Sequence, residues 1–305
     1  MPTSSKKLDD SAWLSKTSYW VPSHMVLSAW VEHGPFAAWM IDAAEPRVMV
    51  ELGTHNGFSY FAMCEAVQRL GLDTACYAVD TWAGDDHAGF YGDEIYDLVS
   101  SANESYSQFS TLLRGYFDDA LAHIPDGSVD LLHIDGRHGY EDVKHDYESW
   151  IPKLSDRAVV MFHDIAVHDR GFGVYRLWDE LSTTAPSFAV THGYGLGVLA
   201  VGAKAPKRVL NFLTEAAKNP DAVRADYERL GFALTRRWFD ESERLTALAS
   251  LHEAHMQVLG LEQVAAAHSA VVGSTSWRLA RAFSRVGRVL PASVRRRIRG
   301  ARANS

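Results

Sequence analysis

Short buried strands alternate with amphipathic helices over the first two thirds of this 305-residue chain, and that alternation restricts the fold more than any other feature. Apolar runs typical of buried strands lie at 47–52, 76–80, 111–114, 129–135 and 158–164. Helices are predicted between them at 35–44, 60–70, 91–107 and 140–151. Strands joined through helices form parallel sheets with right-handed crossovers. The sequence therefore predicts an α/β fold built on a doubly wound, mostly parallel sheet.

The segments that flank this sheet are predicted to be helical, apart from its last edge. Residues 188–201 contain Gly193, Gly195 and Gly197 and fit two adjacent strands around a turn, so the final strand should be antiparallel. Ser23 is predicted to cap an N-terminal helix. The predicted parts are an N-terminal helical segment (1–45), a Rossmann-like domain (46–203), a helical extension (204–272) and a basic amphipathic tail (273–305).

Charge separates the tail from the rest of the chain. Residues 271–305 carry nine arginines and no acid, which leaves 21 basic and 38 acidic residues, a net charge of −17, elsewhere. An apolar stripe at helical spacing lies beside these arginines and consists of Leu279, Phe283, Val286 and Leu290. A helix of this kind predicts peripheral contact with an anionic membrane surface. A solvated tail, or a helix docked on the protein's own acidic surface, is the alternative. Nucleic acid is not an expected partner, because the body is acidic and the tail has few aromatic residues.

The helical extension and the cysteines complete the general picture. The extension fits a helical hairpin or a short coiled coil, through which the chain could form a homo-oligomer. No apolar run reaches the roughly eighteen residues of a membrane span, and the first fifteen residues lack the apolar core of a secretory signal. Cys64 and Cys76 are the only cysteines and fit buried, reduced thiols. The sequence predicts a cytoplasmic protein, peripheral at the inner membrane face if the tail binds there.

The loop after the first strand suits an adenosine without a pyrophosphate. Gly53 and Gly57 let the backbone turn tightly and approach a ligand closely, and a following helix N-terminus offers free N–H groups. Neither the dinucleotide fingerprint nor a phosphate loop with a lysine is present. Asp80 ends the second strand, where an acid accepts hydrogen bonds from ribose hydroxyls. A cap or turn residue is the alternative reading of Asp80.

Acids and histidines gather at the ends of the later strands. Asp135 and Asp164 end neighbouring parallel strands, so they should meet at one sheet edge, where they could share a divalent cation such as Mg²⁺. Asp164 could instead cap the next helix, and His163 either adds a nitrogen ligand or faces the core. His138 lies three residues after Asp135 and fits a general base, with a surface loop histidine as the alternative. His133 fits a buried, hydrogen-bonded histidine.

These segments resemble a known family. Residues 50–59 resemble motif I of the class I S-adenosylmethionine-dependent methyltransferases. Residues 131–140, with Val143, Asp146 and Trp150, and residues 159–165 resemble a subgroup. That subgroup includes the macrolide-sugar O-methyltransferases of the macrocin and mycinamicin types and O-methyltransferases encoded beside glycosyltransferases in polysaccharide gene clusters. The resemblance covers about 23–202.

The resemblance implies a role for each matching residue. It implies that S-adenosylmethionine is bound by Glu51, Gly53, Thr54, Gly57, Ser59, Asp80 and Asp135. It implies that a divalent metal is held by Asp135 and Asp164 and that His138 is the catalytic base. The subgroup has an acid before the second aspartate, where this chain has His163. A nitrogen ligand there weakens the preference for magnesium and favours a softer ion or none.

The predicted function is S-adenosylmethionine-dependent O-methylation of a sugar hydroxyl on a glycan or glycosylated metabolite. Trp82, Tyr91 and Tyr194 are candidates to line the acceptor pocket, and each could equally be a core residue. One alternative is a small phenolic or antibiotic acceptor for the same chemistry. A non-catalytic scaffold subunit of a glycan-assembly complex is a third hypothesis, which the acids and histidines at the strand ends argue against.

Overall fold

The computed structural model describes residues 11–85, 89–279 and 281. Seven strands form the main sheet: β1 (Val48–Leu52), β2 (Ala75–Asp80), β3 (Ser110–Arg114), β4 (Val129–Ile134), β5 (Leu154–His163), β6 (Ser187–Val190) and β7 (Leu196–Ala200). The α-helices are α1 (Gly34–Ala44), α2 (Phe58–Leu70), α3 (Asp93–Asn103), α4 (Phe117–Ala120), α5 (Tyr140–Trp150), α6 (Val174–Leu181), α7 (Lys207–Lys218) and α8 (Pro220–Gly273). A small hairpin pairs Gly84–Asp85 with Gly89–Phe90.

The main sheet has the strand order β3-β2-β1-β4-β5-β7-β6. All pairs up to β5 are parallel, whereas β7 runs antiparallel to both β5 and β6. The prediction of a doubly wound, Rossmann-like sheet with an antiparallel final strand is confirmed. Strand order reverses between β1 and β4, and ligands of such sheets bind at the carboxyl ends of the strands near this point.

Apolar side chains cover both faces of the sheet. Val50 and Leu52 of β1 belong to the core cluster on the face of α5 and α6, and Met49 belongs to the cluster on the face of α1, α2 and α7. The cluster on the face of α1, α2 and α7 contains many aromatic rings. The ring centroids of Trp39 of α1 and Phe212 of α7, for example, lie 4.7 Å apart. Since side chains alternate along a strand, Glu51 points to this α1 face. A carboxylate is therefore placed within an apolar layer.

Two helix predictions differ from the structure. Ser23 does not cap a helix, because its backbone N–H and its hydroxyl both donate to the Glu65 carboxylate at 2.7 Å. The first α-helix begins at Gly34 instead. The continuous helix expected over 206–270 is divided at Asn219, and Pro220 begins the second helix. Proline favours a first helical position and is unfavourable inside a helix, so the chain restarts there.

The chain divides into two compact units, Met1–Trp238 and Phe239–Ser305. Within the second unit α8 exposes many large apolar side chains, including Leu245, Leu248, Leu251, Val258 and Leu261. A homo-oligomer through this helix stays a prediction. Among the described residues, no helix is long and apolar enough to span a membrane. Most of the predicted amphipathic tail, including Phe283, Val286 and Leu290, lies outside the described residues.

The two cysteines are where the sequence predicts them. Cys64 of α2 and Cys76 of β2 are buried and not disulfide-bonded. Burial raises the pKa of the Cys64 thiol well above its usual value, so this group stays protonated. Both residues therefore contribute to packing of the core.

Candidate active site

A cleft of 1280 Å³ opens at the carboxyl ends of β1, β2, β4 and β5. Eight of the ten predicted site residues line it: Gly53, Thr54, Ser59, Asp80, Asp135, His138, His163 and Asp164. Parallel strands end on the same side of the sheet, which explains why residues so distant in sequence converge here. The other two, Glu51 and Gly57, are buried and do not line the cleft.

The loop after β1 depends on two glycines in the left-handed region. Gly53 has φ 88°, and a Cβ there would overlap the carbonyl oxygen of Asp135. The backbone N–H of Asp135 donates to Leu52 at 2.8 Å, so the two strand ends are in direct contact at this point. Gly57 has φ 83° and precedes the first residue of α2. At position 53 only glycine can adopt this positive φ without strain and also leave room for the Asp135 carbonyl.

Asp80 holds this loop in place. One of its carboxylate oxygens accepts the backbone N–H groups of Thr54 and His55, both at 2.8 Å. The other accepts the backbone N–H of Trp82 at 2.7 Å. A carboxylate has about four lone-pair sites, so three are already used. Asp80 therefore has room for about one further hydrogen bond, fewer than the two ribose hydroxyls that the sequence suggests for it.

Asp80→Ala is expected to weaken S-adenosylmethionine binding by about 1 to 3 kcal/mol and also to destabilise the cofactor-free protein. The second effect follows because three backbone N–H groups of the loop lose their acceptor. Calorimetry and urea unfolding measure the two effects separately. Asp73→Ala, at an exposed turn residue before β2, is the matched control. Unchanged urea stability together with weaker binding would mean that Asp80 serves the ligand alone.

Three buried side chains form a polar chain beneath the cleft. Nδ1 of His133 lies 2.8 Å from Oε2 of Glu51, and Nε2 of His133 lies 3.0 Å from the indole nitrogen of Trp30. An indole N–H only donates, so Nε2 of His133 must be the acceptor and the ring proton must be on Nδ1. His133 is thus a neutral histidine that donates to Glu51, and its predicted burial is confirmed.

Two buried oxygen atoms at the end of β1 and in the loop that follows it have no hydrogen-bond partner: Oε1 of Glu51 and Oγ1 of Thr54. Unsatisfied buried polar atoms are rare and usually mark a place that a ligand or water completes. Both atoms belong to the segment that resembles motif I. The ammonium group of S-adenosylmethionine is a donor that such acceptors suit, so the residues present fit this cofactor.

Two carboxylates and two histidines meet at the ends of β4 and β5. Nε2 of His138 lies 2.8 Å from Asp164 and 3.8 Å from Asp135. Nδ1 of His163 lies 3.1 Å from Asp135 and 3.5 Å from Asp164. Asp164 adopts φ 61°, a left-handed conformation that aspartate tolerates better than most residues. The sequence left His163 as either a ligand or a core residue; its ring is buried and contacts both acids, and a role as metal ligand stays a prediction.

These four groups shift one another's protonation. Burial alone would lower the pKa of His138, but its contacts with Asp135 and Asp164 outweigh burial and raise that pKa to about 9. Burial also opposes a charged His163, yet Asp135 and Asp164 raise its pKa well above the usual value. In return the histidines lower the pKa of both acids against the effect of burial. In this arrangement two imidazolium ions balance two carboxylates.

The same groups are able to hold a metal ion. Ligand atoms of Asp135, His138 and Asp164 all lie within 4.8 Å of one another. His138, predicted as a base, thus belongs to the metal-competent set, and His163 contacts both of its acids. Carboxylate oxygens with imidazole nitrogens form a mixed donor set, which suits Mn²⁺ or a later first-row ion better than Mg²⁺.

Aromatic residues around the cleft differ partly from the sequence prediction. Tyr91 and Tyr194 line the cleft as predicted, but Trp82 is fully buried and its indole N–H donates to the His55 carbonyl. Trp82 is therefore a core residue, which is the alternative that the sequence left open for it. Phe172, which the sequence did not single out, stacks on His138 with ring centroids 4.3 Å apart and planes 10° apart. It restricts how that imidazole can turn.

Comparison with known families places this site within a recognised domain. Residues 50–165 match a family described as a methyltransferase domain. This match agrees with the prediction of a methyltransferase domain, and the matched residues contain both the β1 loop and the cluster of acids and histidines.

Similar proteins give limited further information. The uncharacterized protein y4gI of Sinorhizobium fredii is 58% identical over 172 residues, which are 56% of this chain and 19% of that protein. This chain therefore spans about a fifth of the length of that relative. Among solved structures, the O-methyltransferase TomG of Streptomyces achromogenes, in complex with SAM, is 18% identical, with 59% of this chain and 83% of that chain covered and a TM-score of 0.42. An O-methyltransferase of Bacillus cereus in complex with SAH is 15% identical, with coverages of 59% and 84% and a TM-score of 0.41.

Proposed function

We propose that this protein is an S-adenosylmethionine-dependent O-methyltransferase that acts on a sugar hydroxyl of a glycan or glycosylated metabolite. The observation that carries the proposal is the convergence of Asp135, His138 and Asp164 in one cleft with the glycine loop and Asp80. A scaffold protein would need no such cluster. The sugar acceptor is further supported by the resemblance of residues 131–140 and 159–165 to sugar O-methyltransferases.

The chain's own residues provide binding and orientation on the cofactor side. S-adenosylmethionine supplies an electrophilic methyl group that an acceptor oxygen attacks in line. Thr54 lines the cleft with an unpaired hydroxyl oxygen for the methionine end, Glu51 supports the loop from the buried layer beneath it, and Asp80 keeps the loop closed around the ribose position. Because transfer requires alignment more than covalent participation by the protein, a rigid loop contributes directly to the rate.

The acid and histidine cluster acts on the acceptor. Asp135 and Asp164 are acceptors for an incoming hydroxyl, and Nε2 of His138 lies at the same place as a candidate to take its proton. His138 is protonated in the present arrangement, so it can serve as a base only after its own proton has left. A divalent cation held by Asp135, Asp164 and one of the histidines would lower the pKa of an acceptor hydroxyl and help to orient it.

Calorimetry with S-adenosylmethionine, followed by a screen that detects S-adenosylhomocysteine release, tests this function. We expect binding, and turnover with methyl pyranosides that exceeds turnover with catechol. Excess EDTA should lower the rate, and Mn²⁺ should restore it at least as well as Mg²⁺. Failure to bind S-adenosylmethionine at millimolar concentration would overturn the proposal. Turnover of catechol alone would favour the phenolic alternative, and full activity in EDTA would leave Asp135 and Asp164 as positioning groups.

A further inference from the structure

The turn between β6 and β7 carries an unusual run of left-handed residues. Gly193, Tyr194 and Gly195 have φ of 55°, 68° and 91°. Glycine enters this region at no cost, but a tyrosine there is strained because its Cβ approaches the backbone. Strained residues persist where the surrounding structure fixes them, and they cluster at functional sites. A functional role would explain why a tyrosine occupies this strained position between two glycines.

Hydrogen bonds from two other segments of the chain hold this turn. The Gly193 carbonyl accepts from Nε2 of His33 at 2.9 Å and from Nε2 of His163 at 3.1 Å. The Tyr194 carbonyl accepts the backbone N–H of Ala166 at 2.9 Å. Since the other nitrogen of His163 contacts Asp135, one buried histidine joins the turn to the carboxylate pair. The position of Tyr194 is thus fixed relative to the reacting groups.

The tyrosine ring contributes little to the core. Its side chain is 57% exposed, and it lines the cleft together with Asp164 and Phe172. An exposed aromatic ring on a strained residue does not stabilise the fold, and glycine at this position would remove the strain. The feature is explained if the ring binds a ligand beside the carboxylates.

The charge of the cleft limits what that ligand can be. Eight carboxylates line the part of the cleft that the structure describes, against two arginines and the two imidazolium ions of His138 and His163. A surplus of negative charge disfavours phosphorylated or uronic acid rings and favours neutral or amine-bearing ones. Hydroxyl groups of a sugar can donate to these carboxylates while the C–H face of its ring packs on one aromatic side chain. An exposed ring beside these acceptors is the arrangement that such a ligand needs, and Tyr194 provides a ring whose turn is joined to Asp135 through His163.

We propose that Tyr194 binds the acceptor, and that it packs against the apolar face of a neutral or amine-bearing pyranose whose hydroxyl points to Asp135, His138 and Asp164. This inference rests on the proposed function and adds the acceptor class and the residue that selects it. His33 and His163 act as positioning residues for the turn that carries the ring.

Three variants at one position test the inference: Tyr194→Phe, Tyr194→Ala and Tyr194→Gly. The probes are methyl α-D-glucopyranoside, methyl α-L-rhamnopyranoside, a methyl glucosaminide and methyl glucuronide, with S-adenosylhomocysteine release as the assay. We expect the phenylalanine variant to keep the wild-type KM, and the alanine and glycine variants to raise KM about tenfold or more because ring packing is lost. The glycine variant should be as stable to urea as wild type, or more stable, because the strain is removed.

Glu45→Gly is the matched control, because Glu45 also has a positive φ of 41° but ends α1 and does not line the cleft. It should relieve strain in the same way and leave KM unchanged. An unchanged KM in Tyr194→Gly, with S-adenosylmethionine affinity intact, overturns this inference alone. A raised KM that accompanies an equal loss of stability or cofactor affinity also overturns it. Preferred turnover of the glucuronide overturns the acceptor class, and a wild-type chain that binds no S-adenosylmethionine overturns the proposed function as well.

Discussion

His138→Ala should lower turnover by about 10² to 10⁴, with the affinity for S-adenosylmethionine nearly unchanged. The reason is that Nε2 of His138 lies 2.8 Å from Asp164 and 3.8 Å from Asp135, where the acceptor hydroxyl is expected. Asp164→Asn should be at least as harmful, since Asp164 contacts both histidines. Initial rates of S-adenosylhomocysteine release, together with calorimetry, separate chemistry from cofactor binding.

The control for this prediction is His123→Ala, an exposed histidine outside the cleft. It should retain wild-type rates. Added imidazole should restore part of the activity of His138→Ala, since a small base can enter the space that the side chain leaves. Near wild-type turnover in His138→Ala would remove this residue from the chemistry.

Gly53→Ala should combine a large loss of stability with a loss of cofactor binding. The left-handed φ costs a non-glycine residue about 1 to 2 kcal/mol, and overlap of the new Cβ with the Asp135 carbonyl adds about 1 to 3 kcal/mol. Any relief of this overlap must move β1 away from β4, which displaces Asp135 as well as the loop. Urea unfolding and calorimetry measure the two losses.

Gly71→Ala separates the two contributions. Gly71 has φ 67° at the end of α2, but a Cβ there would meet nothing within 4 Å. It should therefore lose only the conformational part of the stability and bind S-adenosylmethionine normally. If both variants lost the same free energy of unfolding, close contact between β1 and β4 would not be what requires glycine at Gly53.

Local sequence patterns predicted those parts of the site that lie at strand ends. Buried strands are short apolar runs, so their last residues can be read from the sequence, and parallel neighbours bring those residues together. This is why Asp80, Asp135 and Asp164 were found and why they share one cleft. The detailed role of Asp80 was not predictable, since its backbone partners depend on the path of a loop 25 residues earlier.

Long-range contacts explain what the sequence did not reveal. Trp30 and His33 reach the site from the N-terminal segment that was predicted to be helical, and no local pattern identifies their partners His133 and Gly193. Ser23 has the local signature of a helix cap, but Glu65, 42 residues away, takes its hydrogen bonds. Trp82 directly follows Thr81, which lines the cleft, but the side chain of Trp82 packs in the core. In each case a distant partner outweighs a local preference.

The contacts of Trp30 and His33 show that residues before the matched segment 50–165 help to build the site. The recognised domain covers residues 50–165, whereas the side chains that cover Glu51 and His133 and hold the Tyr194 turn come from positions 30 and 33. A fragment trimmed to the recognised domain would leave the buried carboxylate of Glu51 open to water and would lose the strand pair that carries Tyr194. The segment that builds this site is thus larger than the segment that the family match delimits, and domain grafts or swaps should include the residues from Trp13 onward, whose indole N–H donates to Asp226 of α8 at 2.9 Å.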